Sequence, residues 1–440
     1  MQNQKDIRFL PIFFGATIGV LLEIVATMID EIVVGNLFTD EAFASVNLIE
    51  PYTFFEIFIA YLLTVAAAAL IMRANGAGDQ KKMSEIFSQT IIACGVVGAF
   101  LTLIYVIFTP QLVRFVADDP AVYDNALAYF KTIRFYPLVD IFDTFMFAYV
   151  LYRGGYVHFY LAIVARIGSN ALLSWYLGSS MGLAGIGLAS ILSLIIALAI
   201  KCTFLFSKKH GLRFRWYFNA REALEIAKLG FPESAIYMFV TLMEMAVNHF
   251  TLTKYGAAGV AAVAVVINIF ETSFYLSEGI GEYEIVAFND SIGKNSSQSM
   301  NSAIRTAIRG ALIDGGVIFV LIMIGSDVLP GAFDIDNENT FDLASVMLRI
   351  LSPTAVFMCL IRMISTFYQY TRRIRRTLLM YGMAIALFPS LLGMLFGQIA
   401  IEGIAIGIAL GPVAALCVML IFVRCIKKQK LLDYKLMHLE

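Results

Sequence analysis

Twelve apolar blocks, each about 20 residues or longer, run the length of this 440-residue chain. A run of that length crosses a hydrocarbon core of about 30 Å as a helix. The approximate limits are 9–34, 45–72, 86–109, 126–152, 158–178, 182–207, 229–253, 258–288, 302–326, 342–369, 377–399 and 402–424. Barrel strands are excluded, because they alternate apolar and polar positions over about ten residues. Composition agrees: only 15% of residues are charged, against about 25% in soluble domains, and 60% are hydrophobic. The expected fold class is an all-α integral membrane protein with twelve transmembrane helices.

Lys and Arg in the connections set the orientation. The even-numbered connections and both tails are basic: Lys81 and Lys82; Lys208, Lys209, Arg213 and Arg215; Arg372, Arg373, Arg375 and Arg376; Lys427, Lys428 and Lys430. The odd-numbered connections are poor in Lys and Arg and often acidic, as in "VADDPAVYDNA". Both termini are therefore expected in the cytoplasm, which requires an even number of spans. The opening "MQNQKDIRFLPIFFG" shows no small-residue cleavage pattern, so the first span is expected to stay and to direct insertion into the plasma (inner) membrane.

The longest polar stretch, "SKKHGLRFRWYFNAREALEIAK", lies near the midpoint. It predicts an N-terminal lobe over 1–206 and a cytoplasmic linker over 207–228. A C-terminal lobe follows over 229–425, then a basic cytoplasmic tail over 426–440. The halves echo each other: Ala44/Ala261 and Val46/Val263 match at an offset of 217. The loops after spans two and eight, and after spans four and ten, fall near the same offset. Two six-helix repeats of one sidedness predict a substrate site near mid-membrane.

Several function classes drop out. A formal net charge of −1 gives no footprint for nucleic acid. The five cysteines form no CxxC pair, so neither a disulfide framework nor a zinc site is expected. There is no G-x-x-x-x-G-K-[ST] loop and no H-E-x-x-H helix, and no cofactor is expected. An ion gradient remains as the energy source. Nothing in the chain calls for an obligate protein partner, and the expected form is a monomer in the lipid bilayer.

The informative residues are acids inside apolar blocks. A charge at the bilayer centre costs about 2.5–3.5 kcal/mol on insertion scales, so each needs a partner, a proton or a wet cavity. Span one carries Glu23, Asp30 and Glu31; span two, Glu50 and Glu56; span four, Asp140 and Asp143; span seven, Glu244. Span eight carries Glu271, Glu278, Glu282 and Glu284. Arg166, Arg362 and His249 are the bases counted against them. Glu23 and Asp30 share a helix face, as do Asn47 and Glu50. Glu271, Glu278 and Glu282 form a stripe, with Glu284 off it. An acidic, partly hydrated cavity would attract organic cations and exchange them for H⁺ or Na⁺. The expected ion-coupling residues are Asp30, Glu23 and Glu50, with Asp30 also the place for Na⁺. The expected substrate contacts are Asn47, Glu244, Glu278, Glu282 and Arg362. Asp140 and Asp143 are expected to pair with Arg166 or with another span.

The stretch "MIDEIVVGNLFTDEAFASVNLIEPYTFF" resembles the first two spans of the multidrug and toxic compound extrusion (MATE) transporters, with their "VDxIFVG" and "ALAAVNIxxP" segments. "ANGAGD", "VLYRGG" and "LGFPESA" are similar to that family's later signatures, in the same order. The resemblance implies a V-shaped bundle of two six-helix lobes, alternating access, and antiport of organic cations against H⁺ or Na⁺. It maps the acid of the family's first span onto Asp30. Span eight departs: "SEGIGEYEIVAFNDSIGK" stands where the family is Gln-rich, and Arg362 stands where it has no base. These departures imply an altered solute, a zwitterion or a metabolite, as the alternative to a drug. A lipid-linked precursor flippase is the other transport reading.

Overall fold

Hydrocarbon cannot hydrogen-bond to a peptide, so a chain this apolar must satisfy its backbone internally. The computed structural model describes residues 9–117, 120–207, 212–332 and 338–425. Every regular element among them is helical. The expected basic tail, and Lys208 and Lys209 of the linker, lie outside the described residues.

Two compact units form. The N-terminal unit holds Leu10–Ser234, and the C-terminal unit holds Ala235 onward together with Phe9. The first is built from α1 (Phe9–Leu37), α2 (Asp40–Asn47), α3 (Glu50–Gly76), α4 (Gln80–Ile107), α5 (Thr109–Val116), α6 (Pro120–Ile133), α7 (Tyr136–Tyr152), α8 (Tyr156–Met181) and α9 (Leu183–Thr203). The second is built from α10 (Ala220–Leu276), which begins in the first unit, then α11 (Glu278–Gly293), α12 (Ser297–Gly325), α13 (Leu329–Ala332) and α14 (Glu338–Leu351). It ends with α15 (Thr354–Tyr370), α16 (Ile374–Tyr381), α17 (Phe388–Phe396) and α18 (Glu402–Cys425). Gly256, at φ 71° and ψ −169°, divides α10 into two spans.

Among the described residues, nine stretches are long and apolar enough to cross a membrane, and two bent pairs bring the number to eleven. The 29-residue α1 supplies the twelfth, since it reaches about 43 Å at about 1.5 Å per residue. The bent pairs correct the sequence reading, which drew 126–152 and 342–369 as unbroken spans. Helices α6 and α7 meet at 51°, and α14 and α15 at 46°. Pro137 follows the first break and Pro353 caps the helix after the second. Proline removes an N–H and its ring crowds the preceding turn, so the helix cannot run straight through.

The bends belong to a repeat that sequence matching only hinted at. Pro137 and Pro353 are 216 positions apart. Gly78 and Asn295, 217 apart, both hold positive φ, at 73° and 49°. The next residues, Asp79 and Ser296, both cap a helix, accepting from Lys82 N at 2.9 Å and Ser299 N at 3.2 Å. Gly154 and Arg372 likewise share positive φ, at 75° and 62°. The halves thus reuse one series of backbone turns with different side chains.

Packing repeats as well. Helices in lipid gain little from the hydrophobic effect, so they associate where small residues let backbones touch. In the N-terminal unit, α8 and α9 form a tight hairpin about Gly182 (φ 67°), with Gly185 against the backbone of Leu177. In the C-terminal unit, Gly403, Gly407 and Gly411 form a stripe on α18. They rest on Phe396, Gly393 and Pro389 of α17. A side chain at 407 would collide with α17 backbone, whereas one at Gly316 on α12 meets nothing within 4 Å. Gly407→Leu should therefore destabilise the protein by about 1–3 kcal/mol, the usual cost of overpacking. Thermal denaturation in detergent should show that loss in Gly407→Leu and leave Gly316→Leu close to wild type.

Candidate functional site

The N-terminal unit surrounds one carboxylate with neutral donors. Asp30 lies on α1 and is half-buried. Its Oδ1 accepts from Asn170 Nδ2 at 3.0 Å and from Ser174 Oγ at 2.7 Å. Its Oδ2 accepts from Ser190 Oγ at 2.7 Å. Ser193 Oγ donates to Asn170 Oδ1 at 3.2 Å, which turns the amide so that its NH₂ faces Asp30. The Arg166 guanidinium is within electrostatic reach of the carboxylate and donates to the Tyr136 hydroxyl at 3.0 Å.

Local sequence explains this convergence. Arg166, Asn170 and Ser174 are four residues apart, so they line one face of α8. Ser190 and Ser193 share a face of α9. The glycine hairpin presses those faces together. The lower half of α1 is fixed by an apolar cluster of Val33, Val34, Leu183 and Ile186, which brings Asp30 to the hairpin. The sequence reading named Asp30 and missed Asn170, Ser174 and Ser190. The signal available was the R-x-x-x-N-x-x-x-S stripe in an otherwise apolar span.

The other expected partners separate. The backbones of Glu23, Asn47 and Glu50 lie in helices, but their side chains are outside the described residues. Asp143 pairs with Lys201 of α9 at 2.6 Å, both groups buried. Lys201 was missing from the count of bases within the spans, and it, rather than Arg166, is the partner of Asp143. Glu56 is buried within electrostatic reach of Asp140.

In the C-terminal unit the acids divide into three settings. Glu244 is exposed on α10, within electrostatic reach of Glu271, beside the stacked rings of Tyr237 and Tyr275. Arg362 of α15 is 1% exposed. It donates from Nη2 to Glu278 Oε1 at 2.8 Å, and its guanidinium lies 5.6 Å from the centroid of the Phe274 ring. Gly281 admits the guanidinium, since a Cβ there would strike Arg362 Nε. Glu282 and Glu284 are both buried in α11. Among the described residues, no cluster of three or more His, Cys, Asp or Glu could hold a metal ion.

Comparisons with known proteins bear on the family and the fold. A family model described as MatE matches residues 16–176 and 232–397. "Probable multidrug resistance protein YoeA" of Bacillus subtilis is 26% identical over 336 residues, covering 73% of this chain and 72% of that protein. A solved structure titled "Crystal structure of MATE P26A mutant" superposes with a TM-score of 0.86 at 20% identity, over 95% of both chains. A transporter of the MOP superfamily from Pyrococcus furiosus superposes with a TM-score of 0.84 at 19% identity, over 95% of this chain and 94% of that one. Its title reports a binding pocket of reversed polarity. At these identities the solved structures establish the fold.

The Arg362–Glu278 pair yields a direct test. Removing one member of a buried pair strands the other charge and costs about 3–5 kcal/mol. Arg362→Met should lower stability by that order in detergent unfolding. Combining it with Glu278→Met should recover most of the loss; an additive double variant would show that the two groups act separately.

Proposed function

The chain belongs to the multidrug and toxic compound extrusion family of membrane transporters, and on that premise we propose that it is a secondary antiporter of the plasma membrane. In this reading it expels an organic, cationic solute in exchange for H⁺ or Na⁺ by alternating access, as a monomer with both termini in the cytoplasm. The observation that carries the reading is the Asp30 carboxylate held by Asn170, Ser174 and Ser190 inside an apolar bundle.

The chemistry of that site favours H⁺. Ionised Asp30 accepts from all three neighbours. Protonated Asp30 has an O–H to donate, and Ser190 Oγ can accept it by turning its own hydrogen to the Ile186 carbonyl at 3.1 Å. One proton therefore reverses one hydrogen bond between α1 and α9 without leaving a buried group unpartnered. A Na⁺ ion at the same carboxylate would face the NH₂ edge of Asn170, which repels a cation. Glu23, Asn47 and Glu50 are proposed to complete the ion path. Glu244, Glu278, Glu282 and Arg362 are proposed to set the charge that the solute meets.

The acids around Tyr237 and Tyr275 support a cationic solute, because carboxylates and ring faces both attract cations. One observation favours the second reading, a zwitterionic metabolite. Arg362 lies against Glu278, so the C-terminal unit presents both signs of charge. Its engagement with Glu278 also weakens the flippase reading, which needs a base available for phosphate.

Transport into sealed everted vesicles under an imposed proton or Na⁺ gradient tests the proposal, with organic cations and zwitterions as the panel. Wild type should accumulate cations when the proton gradient is present. Asp30→Asn should fall to the level of vesicles without the protein, and Ser190→Ala should retain part of the activity. Undiminished uptake by Asp30→Asn would overturn the assignment, and a response to Na⁺ alone would replace H⁺ as the coupling ion.

A further inference from the structure

The segment that enters α10 is fixed in place, yet it carries its large rings outward. Residues 212–219 form no regular element, but their backbone is tied to α4. Arg215 N donates to Ser88 Oγ at 2.9 Å, and Arg213 N donates to Ser84 Oγ at 3.4 Å. Asn219 caps α10, its Oδ1 accepting from Arg221 N at 3.0 Å, and Glu222 pairs with Lys82 of α4 at 2.7 Å. Between these ties, Tyr217 N donates to the Arg215 carbonyl at 2.8 Å, which closes a three-residue turn around Trp216. Trp216 is 91% exposed, and Phe214 and Phe218 are exposed beside it. Phe214 and Trp216 meet edge to face, with centroids 5.4 Å apart.

Large rings exposed together mark a surface that meets a membrane or a partner. Depth identifies which. Ser84 and Ser88 stand in about the first three turns of α4, one of the helices long and apolar enough to cross a membrane. The apolar block drawn from residue 86 begins between them. The rings therefore lie where hydrocarbon gives way to headgroups, the level at which tryptophan collects in membrane proteins. Charge identifies the lipid. Arg213, Arg215 and Arg221 are exposed and form no ion pair among the described residues. The nearby acids do not neutralise them, because Glu85, Glu222 and Glu225 each have a lysine within 4.0 Å. Unpaired basic groups at the membrane surface concentrate anionic lipid. A zwitterionic headgroup carries the same phosphate with its charge cancelled, and is held less.

We propose that residues 213–221 form a site for an anionic phospholipid, with Phe214, Trp216 and Phe218 among the upper acyl chains and Arg213, Arg215 and Arg221 at the headgroup phosphate. The site lies wholly within the N-terminal unit. The ties to Ser84, Ser88 and Lys82 hold the rings and guanidiniums in place, so little chain entropy is lost on binding. It uses none of the acids assigned to ion exchange and needs no gradient, so it stands apart from the antiporter reading.

Trp216 is its own reporter. The chain has two tryptophans, so Trp175→Phe leaves Trp216 as the only source of indole fluorescence. That protein would be reconstituted into phosphatidylcholine vesicles containing either acyl-brominated phosphatidylglycerol or, at equal mole fraction, acyl-brominated phosphatidylcholine. Brominated phosphatidylglycerol should quench Trp216 at least about twofold more strongly. High salt should shrink that preference by screening the charges. Arg213→Gln, Arg215→Gln and Arg221→Gln combined should make the two lipids equal while quenching itself persists. Lys at the same three positions keeps the charge and should keep most of the preference. Equal quenching by the two lipids before the arginines are changed, or an unchanged preference in the triple Gln variant, would overturn the site. Loss of the preference in the triple Lys variant as well would overturn it, by tracing the effect to the fold of the segment. Quenching by neither lipid would also overturn it, by placing Trp216 in water or against another protein.

Discussion

Hydrocarbon supplies no hydrogen bonds, so a polar group carried into the membrane is costly unless it finds a partner within the chain. For the backbone this forces helices, and helices are what the described residues form. For side chains the same constraint decides where acids can stand. Each buried carboxylate meets it differently. Asp30 collects neutral donors, Asp143 takes a lysine, Glu278 takes an arginine, and Glu284 is fully buried with neither oxygen hydrogen-bonded among the described residues. Those differences separate acids suited to structure from acids suited to exchange. A carboxylate locked to a fixed cation cannot readily trade it. One held by hydroxyls and an amide can gain and lose a proton while its neighbours turn.

Association of the helices rests on small residues. The hairpin of α8 and α9 and the hairpin of α17 and α18 occupy equivalent places in the two halves, and both close on glycine. In the first half the close approach does more than pack. It brings Asn170 and Ser174 of one helix to Ser190 and Ser193 of the other, and so assembles the donors around Asp30. In the second half, the same close approach seats Gly403, Gly407 and Gly411 of α18 on α17.

The repeat also explains how the two halves keep one fold with unlike side chains. Turns, caps and proline bends recur at an offset close to 217, independent of the side chains between them. Gly281 leaves the space that the Arg362 guanidinium occupies, because a larger residue there would fill it.

The sequence by itself determined the class of fold and the number of spans, and it singled out Asp30 as a candidate acid. Block length and the cost of charge in lipid act locally, so twelve apolar runs and Asp30 could be read one segment at a time. The glycines and the polar stripe of α8 were also visible, though their meaning was not. Only the tertiary structure decided which polar groups meet. It gave Asp143 to Lys201 rather than Arg166, brought Asn170, Ser174 and Ser190 to Asp30, and bent spans four and ten at their prolines. It also showed that Glu284, off the stripe drawn through Glu278 and Glu282, is fully buried. Periodicity gives the face on which a residue lies. The partner on that face depends on helix rotation and depth, which are set by contacts between segments more than a hundred residues apart.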